Sequence, residues 1–318
     1  MSLAIEVTGL QKTYGDLEAV RGIDLHVEEG EVFALLGPNG AGKTTTVEIL
    51  EGFRERSAGR VSVLGFDPGR GERPYKERIG IVLQETGVEP YLTVAEVIEL
   101  YRGYYPHPLP LDEIISVVGL EAKRDERTVR LSGGQQRRLD VAVGLAGDPD
   151  LLFLDEPTTG FDPSARRQAW DMIADLKSLG KTVFLTTHYM DEAQRLADRV
   201  AIIVEGRIVA LGPPGALVGA EAAATIIRFT LPDGMSLPPQ LAEDVVVQGA
   251  AGVTLKTTEP LPVLHRLTGW ALESSVELQE LAVDRPSLED VYLELTGMSG
   301  SEPQQEEAPK RRRGRRRR

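Results

Sequence analysis

The chain has 318 residues, with 36 Lys or Arg against 49 Asp or Glu and a formal net charge of −13. This length suits about two domains of roughly 150 residues each. With 41% hydrophobic and 27% charged residues, the composition is that of a globular protein and excludes a wholly disordered chain. The absence of cysteine excludes disulfides, a thiolate nucleophile and a cysteine-bound metal site. No apolar run approaches the roughly 18 residues of a membrane span and no secretory signal is visible, so we expect a cytosolic location.

A strand-rich segment opens the chain. Within residues 3–36 apolar and polar side chains alternate, which predicts strands with one buried face. At residues 32–36 the alternation gives way to a continuous apolar run, typical of a strand buried on both faces. A glycine-rich stretch at 37–42 follows, and a helix is predicted from Lys43 to about Gly52.

Residues 93–146 are predicted to be mostly helical. Thr93 and Glu96 form a capping-box pattern at the start of one helix. We expect Asp112 to cap a second, shorter helix, and the pattern predicts a third over residues 133–145.

Strands and helices then alternate. Residues 151–154 predict a buried strand, a helix begins at Asp162 and Pro163 and ends near Gly180, and residues 183–186 predict another strand. A hairpin follows, with its two strands predicted over 200–204 and 208–211. This order predicts an α/β core with antiparallel and helical additions.

A boundary is predicted near residue 213, at Pro213-Pro214-Gly215. Beyond it a small α+β domain is predicted, with strands near 224–231, 244–248, 252–257 and 275–283 and helices near 262–270 and 286–295. Residues 298–318 lack apolar periodicity, and we expect them to be disordered. Their end, KRRRGRRRR at residues 310–318, carries eight positive charges on an otherwise acidic chain.

The segment GPNGAGKTT fits the pattern of a phosphate-binding loop between a strand and a helix. Its glycines let backbone N–H groups surround a phosphate, and the following helix directs the positive end of its dipole at the same anion. Lys43 is expected to reach the β- and γ-phosphates, and the Thr44 hydroxyl to hold Mg²⁺. The predicted nucleotide-binding residues of this loop are Gly37, Pro38, Asn39, Gly40, Ala41, Gly42, Lys43, Thr44 and Thr45.

The segment LLFLDE at residues 151–156 supplies the second part of a nucleotide hydrolysis site. Its apolar residues predict a buried strand, so Asp155 emerges at the carboxyl end of the sheet, where α/β proteins bind ligands. A carboxylate there is suited to holding Mg²⁺. Glu156, the next residue, is suited to polarising an attacking water as a general base.

The segment LSGGQ, residues 131–135, is a second candidate anion site. Its serine and glycines place a hydroxyl and bare N–H groups at the start of a helix. Two phosphate-binding devices in one chain indicate that the second serves another subunit.

These motifs, in this order, resemble those of the ATP-binding subunit of an ABC transporter, over about residues 3–218. The resemblance also includes Tyr14, Gln84 in IVLQE, Asp162 and His188 in TTH. It implies a P-loop ABC ATPase cassette with a RecA-like core, an antiparallel β subdomain and an α-helical subdomain. The implied domains are a nucleotide-binding domain over 1–218, with its helical subdomain at about 93–146, a small α+β accessory domain over 222–297 and the tail 298–318.

The resemblance implies roles for the remaining site residues. Tyr14 would stack on adenine, Gln84 would sense Mg²⁺ and the attacking water, and His188 would hydrogen-bond the γ-phosphate. Asp162 would couple the two sites across a dimer. The signature residues that would face the ATP of the opposite subunit are Ser132, Gly133, Gly134 and Gln135.

Three segments resemble the drug-resistance (daunorubicin-type) exporter ATPases: DEPTTGFDP, QETG followed by LTV, and PSLEDVYLELTG. This resemblance implies an ATPase at the cytoplasmic face of the cell membrane. Two copies would join head to tail and power export of a drug or another amphipathic molecule through a separately encoded permease, with ATP and Mg²⁺ as cofactors.

Two other functions remain open at this stage. One is an ABC importer ATPase, and the other is a soluble ABC ATPase acting on nucleic acid or ribosomes. The soluble ATPase is disfavoured for two reasons. DNA-repair members of the family insert a long coiled coil between the phosphate-binding loop and LSGGQ, and Lys43 and Ser132 lie too close in sequence for one. Translation-factor members carry two cassettes, whereas this chain carries one. We expect no specific nucleic-acid partner, because the acidic body repels polyanions and no aromatic residues interleave the arginines of the tail. We expect residues 310–318 to contact anionic lipid.

Overall fold

The computed structural model describes residues 2–83, 87–218, 225–232, 235, 237–238, 241, 245–249, 252–284 and 287–296. Its strands are β1 (Leu3–Tyr14), β2 (Leu17–Glu28), β3 (Val32–Leu36), β4 (Ala58–Val63), β5 (Ile79–Val82), β6 (Leu151–Asp155), β7 (Thr182–Thr187), β8 (Arg199–Val204), β9 (Arg207–Gly212), β10 (Thr225–Thr230), β11 (Val245–Gly249), β12 (Gly252–Thr257) and β13 (Gln279–Asp284).

Its α-helices are α1 (Lys43–Leu50), α2 (Arg73–Lys76), α3 (Val94–Arg102), α4 (Leu111–Val117), α5 (Gly133–Leu145), α6 (Pro163–Ser178), α7 (Met190–Leu196), α8 (Pro214–Leu217), α9 (Pro260–Glu273) and α10 (Leu288–Thr296). Three short 3-10 turns lie at Pro68–Arg70, Glu121–Lys123 and Thr128–Arg130.

A six-stranded sheet with the order β5-β6-β7-β3-β8-β9 forms the centre of the larger unit. Its first five strands are parallel, and β9 returns antiparallel to β8 as the predicted hairpin. All residues of β3 and β7 are buried, which explains the continuous apolar run of β3, because helices and a second sheet cover the two faces. The carboxyl ends of β3, β6 and β7 are neighbours at one edge of this sheet.

A second, antiparallel sheet with the order β2-β1-β4 packs on one face of the six-stranded sheet. Alternate side chains of its strands point into a shared core, as the period-2 pattern predicts. Three phenylalanines from the larger sheet fill that core, with ring centroids 5.4 Å apart for Phe33 and Phe184 and 5.8 Å apart for Phe153 and Phe184.

The region between β5 and β6 is helical, with α3 and α5 beginning as predicted. Thr93 caps α3 through a reciprocal pair of hydrogen bonds with Glu96, so the predicted capping box is confirmed. The expectation that Asp112 caps α4 is wrong, because Pro110 occupies the N-cap position and Asp112 lies inside the first turn. The fixed φ of proline is compatible with entry into the helix, and a carboxylate in the first turn still favours the helix dipole.

Beyond β9 the chain forms a four-stranded antiparallel sheet with the order β11-β12-β10-β13. Helix α9 covers one face, where Ile227, Leu255 and Leu267 are completely buried. Strand β13 begins at Gln279, later than the predicted start near 275. The predicted tail, 298–318, lies outside the described residues.

Helix α10 follows the small sheet in the chain, but its buried apolar residues pack into a different core. It contacts α7 and α8. Its residues Leu288 and Tyr292 belong to the core of the larger unit, together with Leu196 and Val218. Leu288 is completely buried there. The last described helix therefore completes a core whose other members come from far earlier in the chain.

Among the helices of the described ranges, none combines the length and the apolar character that a membrane span requires.

The packing of α10 predicts that Leu288→Ala lowers the free energy of unfolding by about 2–5 kcal/mol, because the truncation leaves a cavity in a closed core. Leu272→Ala in α9 is the control, since Leu272 is 81% exposed and its loss is expected to change stability by less than about 0.5 kcal/mol. Urea denaturation of both full-length variants provides the measurement. Equal stability of the two variants would contradict the placement of α10.

Candidate functional site

The glycine-rich loop lies between the buried strand β3 and helix α1, as predicted. Gly42 has a φ of 103°, and a Cβ there would lie 2.6 Å from the carbonyl oxygen of Ala19. A Cβ at Gly37 would lie 2.3 Å from the carbonyl oxygen of Ile203. Only glycine fits these two positions, and Gly42 brings no capping side chain to the start of α1. The first N–H groups of the helix are therefore available to an anion.

Lys43, the first residue of α1, has a buried side chain that points into this loop. Its Nζ donates hydrogen bonds to the carbonyl oxygens of Gly37 at 2.8 Å and Pro38 at 3.2 Å, and it lies 3.4 Å from Oε1 of Glu156. Burial lowers the pKa of Lys43, and the neighbouring Glu156 carboxylate opposes that shift. The ammonium is thus surrounded by oxygen atoms in the position where a phosphate is expected.

Asp155 and Glu156 lie at the carboxyl end of β6, beside the end of β7 that carries His188. The Nδ1 atom of His188 lies 3.3 Å from Oε1 of Glu156, the same oxygen that faces Lys43. His188 contributes most to lowering the pKa of Glu156 to about 2, with Lys43 adding to it and burial opposing it. The structure therefore brings together Lys43, the adjacent pair Asp155 and Glu156, and His188, from three separate segments of the sequence.

The side chains at this edge also fit a nucleotide accompanied by Mg²⁺. Thr44 is exposed and Asp155 half-buried, so a hydroxyl and a carboxylate are accessible beside the loop. Hard oxygen ligands of this kind are those that Mg²⁺ prefers. Among the other loop residues, Asn39 and Gly40 are exposed and Thr45 is half-buried.

The signature segment lies at the start of α5. The Ser132 hydroxyl accepts a hydrogen bond from the Gln135 N–H, and the Gln135 side chain accepts one from the Ser132 N–H. Ser132, Gly133, Gly134 and Gln135 line an open cleft of about 610 Å³ with residues 159–162. No residue of the phosphate-binding loop is among the described residues that line it. Within one chain, the phosphate-binding loop and the signature cleft are therefore two separate sites.

Asp162 caps helix α6, as the sequence predicts. Its Oδ1 accepts hydrogen bonds from the N–H groups of Ser164 at 2.8 Å and Ala165 at 3.0 Å. These two hydrogen bonds lower the pKa of Asp162, and the bond from Ala165 contributes more than the bond from Ser164. The residue predicted to couple two subunits thus fixes the local turn beside the signature cleft.

Tyr14 ends β1 and is 37% exposed, which leaves ring surface accessible to a base. The Nζ of Lys12 lies 5.0 Å from the ring centroid and the Cζ of Arg54 lies 5.3 Å from it. Gln84, predicted to sense Mg²⁺ and water, lies outside the described residues.

Arg137 is a site residue that the motif analysis missed. It is buried on α5 and donates hydrogen bonds to three carbonyl oxygens: Leu83, Asp155 at 2.9 Å and Pro157 at 3.2 Å. It therefore ties the signature helix to both sides of Glu156. The sequence did contain a signal for this role. Arg137 lies four residues before Val141, on the same buried face of the helix, and a buried charged side chain needs hydrogen-bonding partners.

Glu51 is a second missed residue. It is the C-cap of α1, only 5% exposed, and burial raises its pKa to about 8, with the negative charges of Asp155 and Glu48 adding to the effect. The Glu51 carboxyl is therefore protonated at neutral pH, and the charge of Asp155, the candidate Mg²⁺ ligand, contributes to that state.

Comparisons with known proteins show what the chain as a whole resembles. A family model described as ABC transporter matches residues 20–159, and one described as the C-terminal domain of ABC transporter domain-containing proteins matches residues 225–287. The chain is 40% identical to the Nod factor export ATP-binding protein I of Paraburkholderia xenovorans, covering 92% of this chain and 97% of that one. The protein of the same name from Burkholderia pseudomallei is 41% identical, covering 93% and 98%. These relatives do not confirm the daunorubicin-type resemblance.

Solved structures of similar fold include cbiO1 from Clostridium perfringens, described as part of an ABC transporter complex. It is 29% identical with a TM-score of 0.61, and the match covers 70% of this chain and 92% of that one. A dimeric ATP-binding cassette in a post-hydrolysis state, bound to ADP and Pi, is 25% identical with a TM-score of 0.58, covering 66% and 98%. The predicted cassette fold with its additional C-terminal domain is confirmed.

The raised pKa of Glu51 predicts a pH-dependent stability. Between its ordinary pKa of about 4.3 and about 8, the folded state holds a proton that the unfolded chain has released. The free energy of unfolding therefore falls as pH rises through that interval, by at most about 1.4 kcal/mol per pH unit.

Glu51→Gln should remove this contribution, so its stability advantage over the wild type grows between about pH 5 and pH 8 and then stays constant. Urea denaturation across this range measures it. Glu113→Gln, at an exposed position of α4, is the control because it leaves the Glu51 carboxyl in place. Parallel pH curves for wild type and Glu51→Gln would contradict the raised pKa.

Proposed function

Because the chain belongs to the ATP-binding proteins of the ABC transporter family, we propose that it powers export of a substrate through a separate membrane permease. Members of this family are ATPases. The observation that carries the direction of transport is the similarity to Nod factor export proteins over more than nine-tenths of both chains. The chain would act at the cytoplasmic face of the membrane. The daunorubicin-type subfamily and an amphipathic substrate remain part of this proposal.

ATP binding would begin at the phosphate-binding loop. The N–H groups at the start of α1 and the ammonium of Lys43 would hold the β- and γ-phosphates. To do so, Lys43 exchanges its contacts with Gly37, Pro38 and Glu156 for phosphate oxygens. That exchange releases Glu156 from the Lys43 ammonium when ATP binds. Tyr14 would stack on the adenine.

Hydrolysis would depend on the group of side chains at the ends of β6 and β7. Glu156, charged because of its low pKa, accepts a proton from the attacking water. His188, on the other side of the same carboxylate oxygen, would hold the γ-phosphate in place. Thr44, Asp155 and Gln84 would hold Mg²⁺, which neutralises charge on the phosphates when bound.

Two chains would complete each site. The separation of the signature cleft from the phosphate-binding loop supports a head-to-tail dimer, in which Ser132 and its neighbours face the ATP of the other chain. Asp162, beside that cleft, would couple the two sites. Loss of the γ-phosphate removes the contact between the chains, so opening of the dimer would drive the permease.

We propose that residues 222–297 are a regulatory or dimer-stabilising domain without a catalytic role. None of the predicted catalytic, nucleotide-binding or Mg²⁺-binding residues lies in that range. Its helix α10 contacts α7, the helix that follows His188, which gives the domain a physical connection to the site.

Glu156→Gln tests the assignment of the base. The amide keeps the size of the side chain but accepts no proton, so we expect ATP hydrolysis to fall by about 10²–10⁴-fold while ATP binding persists. With ATP the variant should form a stable dimer on gel filtration, and in cells it should stop export while still co-purifying with the permease. Lys43→Ala is the contrasting control, because it should abolish ATP binding itself. Hydrolysis near the wild-type rate by Glu156→Gln would remove Glu156 from this role.

Mixing two inactive variants tests the composite site. A heterodimer of a Lys43→Ala chain and a Ser132→Arg chain contains one site with both residues intact. We therefore expect the mixture to recover part of the wild-type ATPase rate although each variant alone is inactive. A mixture as inactive as its components would contradict the head-to-tail arrangement.

Residues 310–318 lie outside the described residues, and we propose that they contact anionic lipid. Eight positive charges near such a surface gain at most about 1 kcal/mol each, and salt should screen the attraction. Full-length protein should float with anionic liposomes at low salt, and a chain ending at residue 309 should float less. Neutral liposomes are the control, and equal flotation of both chains on anionic lipid would contradict the proposal.

A further inference from the structure

We propose that Thr186 is a positioning residue of the hydrolytic site, whose hydroxyl fixes both the carboxylate of Asp155 and the backbone of Glu156. The inference rests on the roles proposed above for those two residues. Thr186 is the first residue of the TTH segment that carries His188, where the motif gave a role to the histidine alone, and it is completely buried on β7.

The position of Thr186 follows from the sheet register. Strands β6 and β7 are parallel neighbours, and Asp155 lies directly opposite Thr186. The Thr186 hydroxyl donates a hydrogen bond to Oδ1 of Asp155 at 2.5 Å and accepts one from the Glu156 N–H at 3.0 Å. One hydroxyl makes both bonds at once, because it has one hydrogen to donate and lone pairs to accept with.

The bond to Glu156 matters because of the backbone conformation at that residue. Glu156 has a φ of 45°, in the left-handed region that residues other than glycine rarely adopt. Such a conformation persists only where surrounding bonds hold it. Thr186 holds the N–H of Glu156, while Arg137 holds the carbonyl oxygens of Asp155 and Pro157 on either side. This turn places the Glu156 carboxylate between Lys43 and His188.

The bond to Asp155 matters for the cation. Donation to Oδ1 orients the carboxylate, and the second oxygen, Oδ2, takes no part in this bond. Hydrogen-bonded partners behind a metal ligand fix its orientation. A single buried hydroxyl thus sets the relative position of the proposed Mg²⁺ ligand and the proposed base.

The experiment compares three variants of the full-length chain in an ATPase assay over a range of Mg²⁺ concentrations. Thr186→Val keeps the shape and removes the hydroxyl, and Thr186→Ser keeps the hydroxyl. Thr182→Val is the matched control on the same strand and the same face, where the buried hydroxyl accepts a hydrogen bond from the Gly30 N–H at 3.0 Å, outside the hydrolytic site.

We expect Thr186→Val to lower kcat, and to raise the Mg²⁺ concentration for half-maximal activity, by about 10–100-fold. The affinity for ATP measured without Mg²⁺ should stay near the wild-type value, because Lys43 and the loop are unchanged. Thr186→Ser should restore both kinetic values to nearly wild type. Thr182→Val should leave both unchanged even where it lowers the melting temperature.

Wild-type kcat and Mg²⁺ dependence in folded Thr186→Val would overturn the proposal, as would equal losses in Thr182→Val or no rescue by serine. Should the valine variant not fold, Thr186→Ala removes the same hydroxyl and is assessed by the same criteria. In each of these failures Glu156→Gln would still be inactive, and the proposed function would stand. Turnover by Glu156→Gln at the wild-type rate would instead overturn the proposed function and this inference together.

Discussion

The buried ammonium group of Lys43 imposes the constraint on which the rest of the site depends. A cation removed from water and left without partners costs on the order of several kcal/mol, so the fold must surround it with oxygen atoms. Two loop carbonyls and the Glu156 carboxylate do so in the structure. The loop glycines, the burial of β3 and the unusual backbone of Glu156 all serve to bring those oxygens to one place. Phosphate is the anion that fits the same position with a larger charge.

Much of this arrangement was predictable because it is local. The strand–loop–helix around residues 37–44, the capping of α5 by Ser132 and the capping of α6 by Asp162 each depend on residues a few positions apart. Patterns of this kind carry their physical cause within the sequence. The meeting of Glu156 and His188 at the phosphate site was also expected, but the role of His188 came only from the resemblance to a known family.

The contacts that the sequence analysis missed are those between neighbouring strands and across the interior. Thr186 meets Asp155 only because β7 lies beside β6, and Arg137 reaches Pro157 only because α5 packs under the sheet edge. Strand β5 has four residues and helix α7 has seven, too short for periodicity to distinguish them from loops. The sequence analysis missed the buried carboxylate of Glu192 on α7 for the same reason, since its partners Thr158 and Trp170 come from other parts of the chain.

The position of α10 in the core of the larger unit has a consequence for folding during synthesis. Translation delivers this helix after every other described element, so the apolar surface of α7 and α8 stays uncovered while the larger sheet is already able to form. Domains that emerge first generally fold first, and surface left uncovered in that interval favours aggregation. The nascent chain therefore passes through a stage in which a nearly complete nucleotide-binding unit still lacks Leu288 and Tyr292. Completion of the core therefore waits until the ribosome has made residues 288–296.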